Sequence, residues 1–301
     1  MCKLKVYQTI EQGTDEWLTL RAGKITASRC KDARDYKQLT KAQEKEGRTR
    51  GDPSAKLLGY AAQVAVERIA GRPIDQGFES WQMREGHTQE PECRAAYEAA
   101  TGNLVQEVGA IATDDDVFLY SPDGLCGEDG LVEIKSLFSG DRIVGIVGGD
   151  DIADFVDQCN FGLWLTGRKW IDLCIWVPAL SGIGLRLTVH RIERDENAIE
   201  ALESDLMLFA QMVDEFERKL RAKAALPIAV AAIEAAQSEA QPPRITQAVQ
   251  EAKESATAPP QKPANPTLDE IGVYLSRMTE IELVRTLHFL QSRFPLAAPV
   301  V

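Results

Sequence analysis

Apolar residues along the first three quarters of the chain recur with two periods, and the switches between those periods mark its elements. Thr14 stands as an N-cap before a short helix expected over 15–20, and a second helix is expected to begin near Thr26–Ser28. The polar stretch 37–52 reads as a mobile basic loop. Leu57, Leu58, Ala61, Ala65 and Ile69 fall at helical spacing within 55–69, and Gly71-Arg72-Pro73 closes that run. A longer helix is expected over 80–101, ending at Gly102. Extended runs follow at 104–108, 110–112, 117–120 and 131–136, then a loop-like stretch over 140–151. A helix over 152–166, strands over 170–176 and 184–192 and an amphipathic helix over 196–223 complete the series. The order helix, strands, helix, strands predicts an α/β fold with a central mixed β-sheet flanked by helices.

After residue 223 the composition changes. Residues 224–266 are rich in Ala, Pro, Gln and Glu, with Pro242-Pro243 and Pro259-Pro260, and read as a partly helical tether followed by a linker. Residues 267–301 are apolar again, with Leu268, Ile271, Tyr274, Leu275 and Met278 at helical spacing, which suits a small helical hairpin used for docking or self-association. The expected organisation is therefore 1–223 as the main domain, 224–266 as linker and 267–301 as a helical interaction segment.

Composition narrows the class. The six cysteines form no Cys-X-X-Cys pair, which argues against a zinc ribbon or an iron–sulfur cluster and suits a reducing cytoplasm. No apolar run reaches membrane length, so no membrane role is expected. The net charge of −12 is unusual for a protein that handles nucleic acid, but residues 21–56 hold eleven Lys and Arg against five Asp and Glu. Residues 193–217 hold nine acidic residues against one arginine. Affinity for phosphates follows the local field rather than the sum.

The densest chemistry lies in Ser121-Pro122-Asp123-Gly124-Leu125, a Gly-rich turn, and Leu131-Val132-Glu133-Ile134-Lys135. Nine residues separate Asp123 from Glu133. Glu133 and Lys135 alternate on one strand and so leave the same face. Two carboxylates and a lysine converging on one point suit a hard divalent cation, Mg²⁺ or Mn²⁺, with the lysine positioning an attacking water. An Asp-Gly turn would account for Asp123 alone, and a structural ion pair for Glu133 with Lys135. Glu133 sits among apolar neighbours, where a carboxylate is costly unless a cation compensates it. The pattern Asp-Xn-Glu-X-Lys is the signature of a large group of metal-dependent nucleases.

Three further blocks carry a closer resemblance. The run Gly13 to Ser28, the run Gly86 to Pro91 followed by Ala95-Ala96-Tyr97-Glu98, and the aromatic-rich stretch Phe161 to Val177 resemble, with the Ser-Pro-Asp block, the lambda-exonuclease (YqaJ-like) family of viral recombination nucleases, within the PD-(D/E)XK superfamily. The resemblance spans about residues 8–220. It implies a restriction-endonuclease-like core, Asp123, Glu133, Lys135 and Gln158 at the catalytic centre, and metal held by Glu90, Asp123, Glu133 and the Ile134 carbonyl. It further implies a pocket for a terminal 5′-phosphate built from Arg21, Ser28 and Ser121. A guanidinium fork beside hydroxyl donors suits that anion. His87, one turn before Glu90, matches no family ligand and reads as a surface residue. Trp81 and Met83 read as core residues or as an apolar wedge against a duplex end.

The function this implies is a Mg²⁺-dependent 5′→3′ exonuclease on linear double-stranded DNA, with two ions, Mn²⁺ as a substitute, mononucleotide products and 3′ single strands left for recombination. The resemblance also implies a single-strand annealing partner, a homotrimeric ring, and a phage or prophage gene expressed in a bacterial cytoplasm. A site-specific or structure-specific endonuclease with the same centre, or a non-enzymatic DNA-end-binding module, is the alternative; a covalently closed circle separates the first and a metal titration the second.

Overall fold

The structure, a computed structural model, describes residues 3–75 and 80–224. The expected linker over 224–266, apart from Ala224, and the helical segment over 267–301 lie outside the described residues, as does Cys2. Nine strands and eight helices run through the described part: β1 (Leu4–Tyr7), α1 (Asp15–Arg21), β2 (Ile25–Thr26), α2 (Cys30–Ala33), α3 (Lys41–Lys45), α4 (Ala55–Ala70), α5 (Trp81–Thr101), β3 (Val105–Gln106), β4 (Ala110–Thr113), β5 (Phe118–Tyr120), β6 (Gly124–Cys126), β7 (Gly130–Ser136), α6 (Gly140–Gly149), α7 (Ala153–Thr166), β8 (Trp170–Trp176), β9 (Leu187–Glu193) and α8 (Glu196–Ala224).

The strands make two mixed sheets, ordered β1-β4-β5-β2 and β3-β6-β7-β8-β9. The α/β class with flanking helices is as expected, but the sheet is divided. Pro122, which has no N–H to give a ladder, lies where the chain leaves β5 in the first sheet for β6 in the second. In the second sheet β7 and β8 run parallel, with Glu133 opposite Leu173 and Lys135 opposite Ile175. Parallel neighbours need a crossover, supplied here by α6 and α7.

The period-2 pattern of β7 sorts its side chains between two cores. Leu131 joins the large core with Phe161 and Leu163 of α7 and with α4 and α8, where Tyr60 stacks on Phe209 at 5.0 Å. Val132 and Ile134 face the other way, packing with Cys93 and Tyr97 of α5 and with Cys174 and Trp176. The face carrying Leu131 also carries Glu133 and Lys135.

Most helical ends fall where the sequence put them. Thr14, Ser54 and Ser80 each accept a backbone N–H as N-caps, and Gly71 and Gly102 close α4 and α5. Three expectations need correction. Residues 140–149 form α6, not a loop: Ile143, Ile146 and Val147 make an apolar stripe on the core, obscured in the sequence by four helix-weakening glycines. The basic stretch 37–52 contains α3, started by a capping box of Thr40 and Gln43. The helix expected near Thr26–Ser28 is instead β2, a 3₁₀ turn over Ala27–Arg29 and the short α2. Strands β1 and β6 are short and were not anticipated. Among the described residues no helix is long and apolar enough to cross a membrane.

Candidate active site

Strand β5 ends at Tyr120, and Ser121-Pro122-Asp123 carries the chain across to β6. Antiparallel pairing of β6 with β7, Gly124 opposite Val132, brings Asp123 beside the middle of β7. There the Ile134 amide donates to Asp123 Oδ2 at 2.5 Å. The Gly-rich turn thus folds the two halves of the motif against each other, as its spacing predicts.

Glu133 is only 2% exposed, a burial at which an unsatisfied carboxylate would be costly. Lys135 Nζ donates to its Oε1 at 2.8 Å, the Gln158 amide of α7 donates to the same oxygen, and the Tyr120 hydroxyl donates to Oε2 at 3.1 Å. Asp123, half-buried, is pushed well above the ordinary carboxylate range, first by burial and then by the charges of Glu133 and Glu90. Lys135 and the Ile134 amide offset only part of that. Burial draws the Lys135 ammonium down, but Glu133 and Asp123 outweigh it and hold the group above the usual lysine value. Burial, reinforced by Glu133, raises the Tyr120 phenol well above its usual value, so it stays a donor.

Glu90 reaches the site from α5. With Asp123, Pro91 and Arg94 it lines a cleft of about 420 Å³ that opens beside the buried Glu133 cluster. His87, expected as a surface residue, is half exposed but also lines this cleft, and its Nδ1 lies 2.9 Å from Glu90 Oε1. Arg94, one turn beyond Glu90, reaches the Asp123 carbonyl at 3.4 Å.

Three carboxylates within one another's field, with Lys135 as the cation among them, form an oxygen-rich set that suits a hard divalent ion. Burial lifts Asp123 first, and the repulsion from Glu133 and Glu90 that adds to it is what such an ion would relieve. As placed, no three His, Cys, Asp or Glu side chains among the described residues close on one point. Glu90 is turned to His87, and Glu133 to its three donors. The cysteines between Cys30 and Cys174 are all buried and free.

A second constellation, drawn mainly from residues 17–28, reaches the first through Ser121. Arg21, at the end of α1, donates to Ser28 Oγ at 3.0 Å and to Thr26 Oγ1 at 3.4 Å, and its guanidinium lies 4.2 Å from the Trp17 ring centre. The Trp17 indole N–H donates to Ser121 Oγ at 2.9 Å. Arg21, Ser28 and Ser121 therefore meet around Trp17, and Ser121 stands two residues before Asp123. Burial draws the Arg21 guanidinium below its ordinary value, and among the described residues no carboxylate forms an ion pair with it. A guanidinium whose hydrogen bonds go only to hydroxyls keeps its charge uncompensated, an arrangement that suits an anion.

The sequence-predicted residues Asp123, Glu133, Lys135 and Gln158 are thus together, Glu90 borders them across the cleft, and Arg21, Ser28 and Ser121 form one network. Sequence reasoning missed Tyr120, Trp17 and Arg94. Tyr120 and Trp17 stood inside or beside the motif blocks, but periodicity assigns such aromatics to the core. Trp81 and Met83 are exposed rather than core, with Trp81 edge-on to Phe138 at 5.1 Å.

Comparison with known proteins identifies the family. The YqaJ-like viral recombinase domain matches residues 16–169. An alkaline exonuclease from Laribacter hongkongensis, LHK-Exo, is 30% identical over 70% of this chain and 98% of its own, with a TM-score of 0.58. Its structure in complex with dAMP matches at 31% identity over 70% of this chain and 98% of that one, with a TM-score of 0.59. A phage-related exonuclease from Haemophilus somnus, 11% identical over 67% of this chain and 96% of its own at a TM-score of 0.50, shares the fold. No curated protein matches the chain. The chain belongs to the YqaJ-like viral recombinase family and is a deoxyribonuclease.

Proposed function

We propose that the chain is a divalent-metal-dependent exonuclease that digests linear double-stranded DNA 5′→3′, releases mononucleotides and leaves 3′ single strands for a strand-annealing partner in a bacterial cytoplasm. The observation that carries this reading is the meeting of Asp123, Glu133, Lys135 and Gln158 at the β6–β7 pair, with Ser121 linking them to an arginine that donates to hydroxyls.

Glu90, Asp123, Glu133 and the Ile134 carbonyl would hold Mg²⁺, two ions in all, with Mn²⁺ accepted by the same donors. Divalent ions bound there supply Lewis-acid polarisation of the scissile phosphate. Lys135, kept charged by its two carboxylate neighbours, orients the attacking water and faces the growing negative charge on the phosphoryl oxygens. Gln158 fixes the Glu133 carboxylate from α7. Arg21, Ser28 and Ser121 take the terminal 5′-phosphate, which sets the register of the first phosphodiester bond against the acidic cluster. That pocket selects ends over internal sites, and so favours an exonuclease over an endonuclease. A trimeric ring around the duplex would keep the enzyme on its strand between cuts. The capture of LHK-Exo with dAMP, a nucleoside monophosphate, supports mononucleotide release.

The test is to assay Glu133→Ala and Lys135→Ala on linear duplex with Mg²⁺, measuring DNA binding alongside. Both variants are expected to bind DNA and cut nothing. Cutting by either at the parent rate removes the proposed centre.

A further inference from the structure

Glu133 offers two oxygens and about four lone-pair sites. Lys135 and Gln158 both use Oε1, whereas among the described residues Tyr120 is the one donor to Oε2. Oε2 is therefore the oxygen with more capacity left for a cation, and the Tyr120 hydroxyl is the donor that bonds it. The Tyr120 ring is fully buried, and its neighbour across the core is Gly162 of α7. A Cβ at Gly162 would lie 2.7 Å and 2.8 Å from two ring carbons and 3.0 Å from the hydroxyl oxygen. Gly162 stands one helical turn beyond Gln158. One face of α7 thus sends an amide to the first oxygen of Glu133 and, a turn later, leaves the gap through which the tyrosine reaches the second. Tyr120 also directly precedes the Ser121-Pro122-Asp123 crossing, so a single residue ties the Asp123 segment to the Glu133 strand.

We propose that Tyr120, admitted by Gly162, is a positioning residue that sets the orientation of Glu133 for divalent-cation binding. The inference rests on the metal-ligand reading of Glu133 given above. Partners that hold a ligand in place typically change metal affinity about 10- to 100-fold when removed. Tyr120→Phe keeps the buried ring and removes only the donor, so the fold is preserved.

The experiment titrates Mn²⁺ into the full chain calorimetrically, without DNA, for the parent, Tyr120→Phe, Gly162→Ala and Glu133→Gln. Exonuclease rates against Mn²⁺ concentration and metal-free melting temperatures are measured in parallel. Tyr120→Phe is expected to weaken Mn²⁺ binding about tenfold, the low end for such partners. The half-saturating Mn²⁺ in the rate assay should rise by the same factor while the saturated rate stays close to the parent's. Gly162→Ala should reproduce that shift by displacing the ring. If Tyr120→Phe binds Mn²⁺ as the parent does, even with a lowered melting temperature, the tyrosine is structural and the inference falls. If Glu133→Gln itself binds Mn²⁺ and cuts like the parent, the metal-centre reading fails and takes this inference with it.

Discussion

Asp123 shows at the residue scale how the candidate site sets function against stability. Its carboxyl is held above the ordinary value of 3.8 by burial, Glu133 and Glu90. Between 3.8 and that raised value the folded chain keeps a proton that the unfolded chain has released, so stability falls as pH rises through the window and stays lower above it. Asp123→Asn removes the ionisation and retains an oxygen to accept the Ile134 amide. In metal-free buffer the variant should be more stable than the parent by about 0.5–2 kcal/mol above the window, with the gain vanishing toward acid pH, and it should not cut DNA. Thermal unfolding from acid to alkaline pH checks this; a gain independent of pH would contradict it. The residues of this scale were largely legible because the motif fixes them by spacing: Asp123 and Glu133 are separated by a turn, and Glu133 and Lys135 by one strand period. Tyr120 and Trp17 were not, since an aromatic hydroxyl or indole aimed at a polar partner has the same sequence pattern as one packed in a core.

Elements were legible where caps and periods agreed, as in α4, α5 and α8, and illegible where a long-range contact decided. Helix α6 forms despite Gly140, Gly145, Gly148 and Gly149 because Ile143, Ile146 and Val147 find the large core. Tertiary burial there outweighs a propensity cost of about 1 kcal/mol per interior glycine. A second long-range feature ties α2, α7 and α8 together: Arg34 donates to Asp205 at 2.8 Å and also pairs with Asp157, and Arg50 pairs with Asp205 from the following loop. Asp205, 12% exposed at its side chain, is the shared anion. Asp205→Ala leaves Arg34 with Asp157 alone and removes the carboxylate partner of Arg50, and is expected to cost about 2–4 kcal/mol, somewhat less than a fully buried pair. Urea unfolding measures it; a loss below about 0.5 kcal/mol would place the network among ordinary surface pairs. A milder effect is expected at the start of α5, where Ser80→Ala removes the N-cap to Met83 and costs about 1 kcal/mol, with metal-saturated activity retained.

For the whole molecule, the α/β class and the order of its longer elements, α6 excepted, followed from the sequence, because alternating runs of the two periods leave few arrangements. The division into two sheets did not, since it depends on pairings among short strands such as β1, β2 and β6 that carry little pattern of their own. The net charge of −12 likewise says little about DNA, because the proposed phosphate site is local: Arg21 keeps its charge among hydroxyl partners while acidic residues gather on 193–217. If the proposed 1–223 domain is the nuclease, a chain ending at Ala224 should fold and cut linear duplex at close to the full-length rate. Circular dichroism and a single-turnover assay would check that, and a folded but inactive truncation would bring residues 225–301 into the reaction. The most direct measurement of the proposed activity offers the purified protein, with Mg²⁺, linear duplexes carrying a 5′-phosphate or a 5′-hydroxyl, and a covalently closed circle. Digestion of the phosphorylated duplex from its 5′ ends, slower digestion of the hydroxyl form, and an intact circle are expected. Cutting of the circle, or equal digestion of the two linear forms, would contradict the proposed activity.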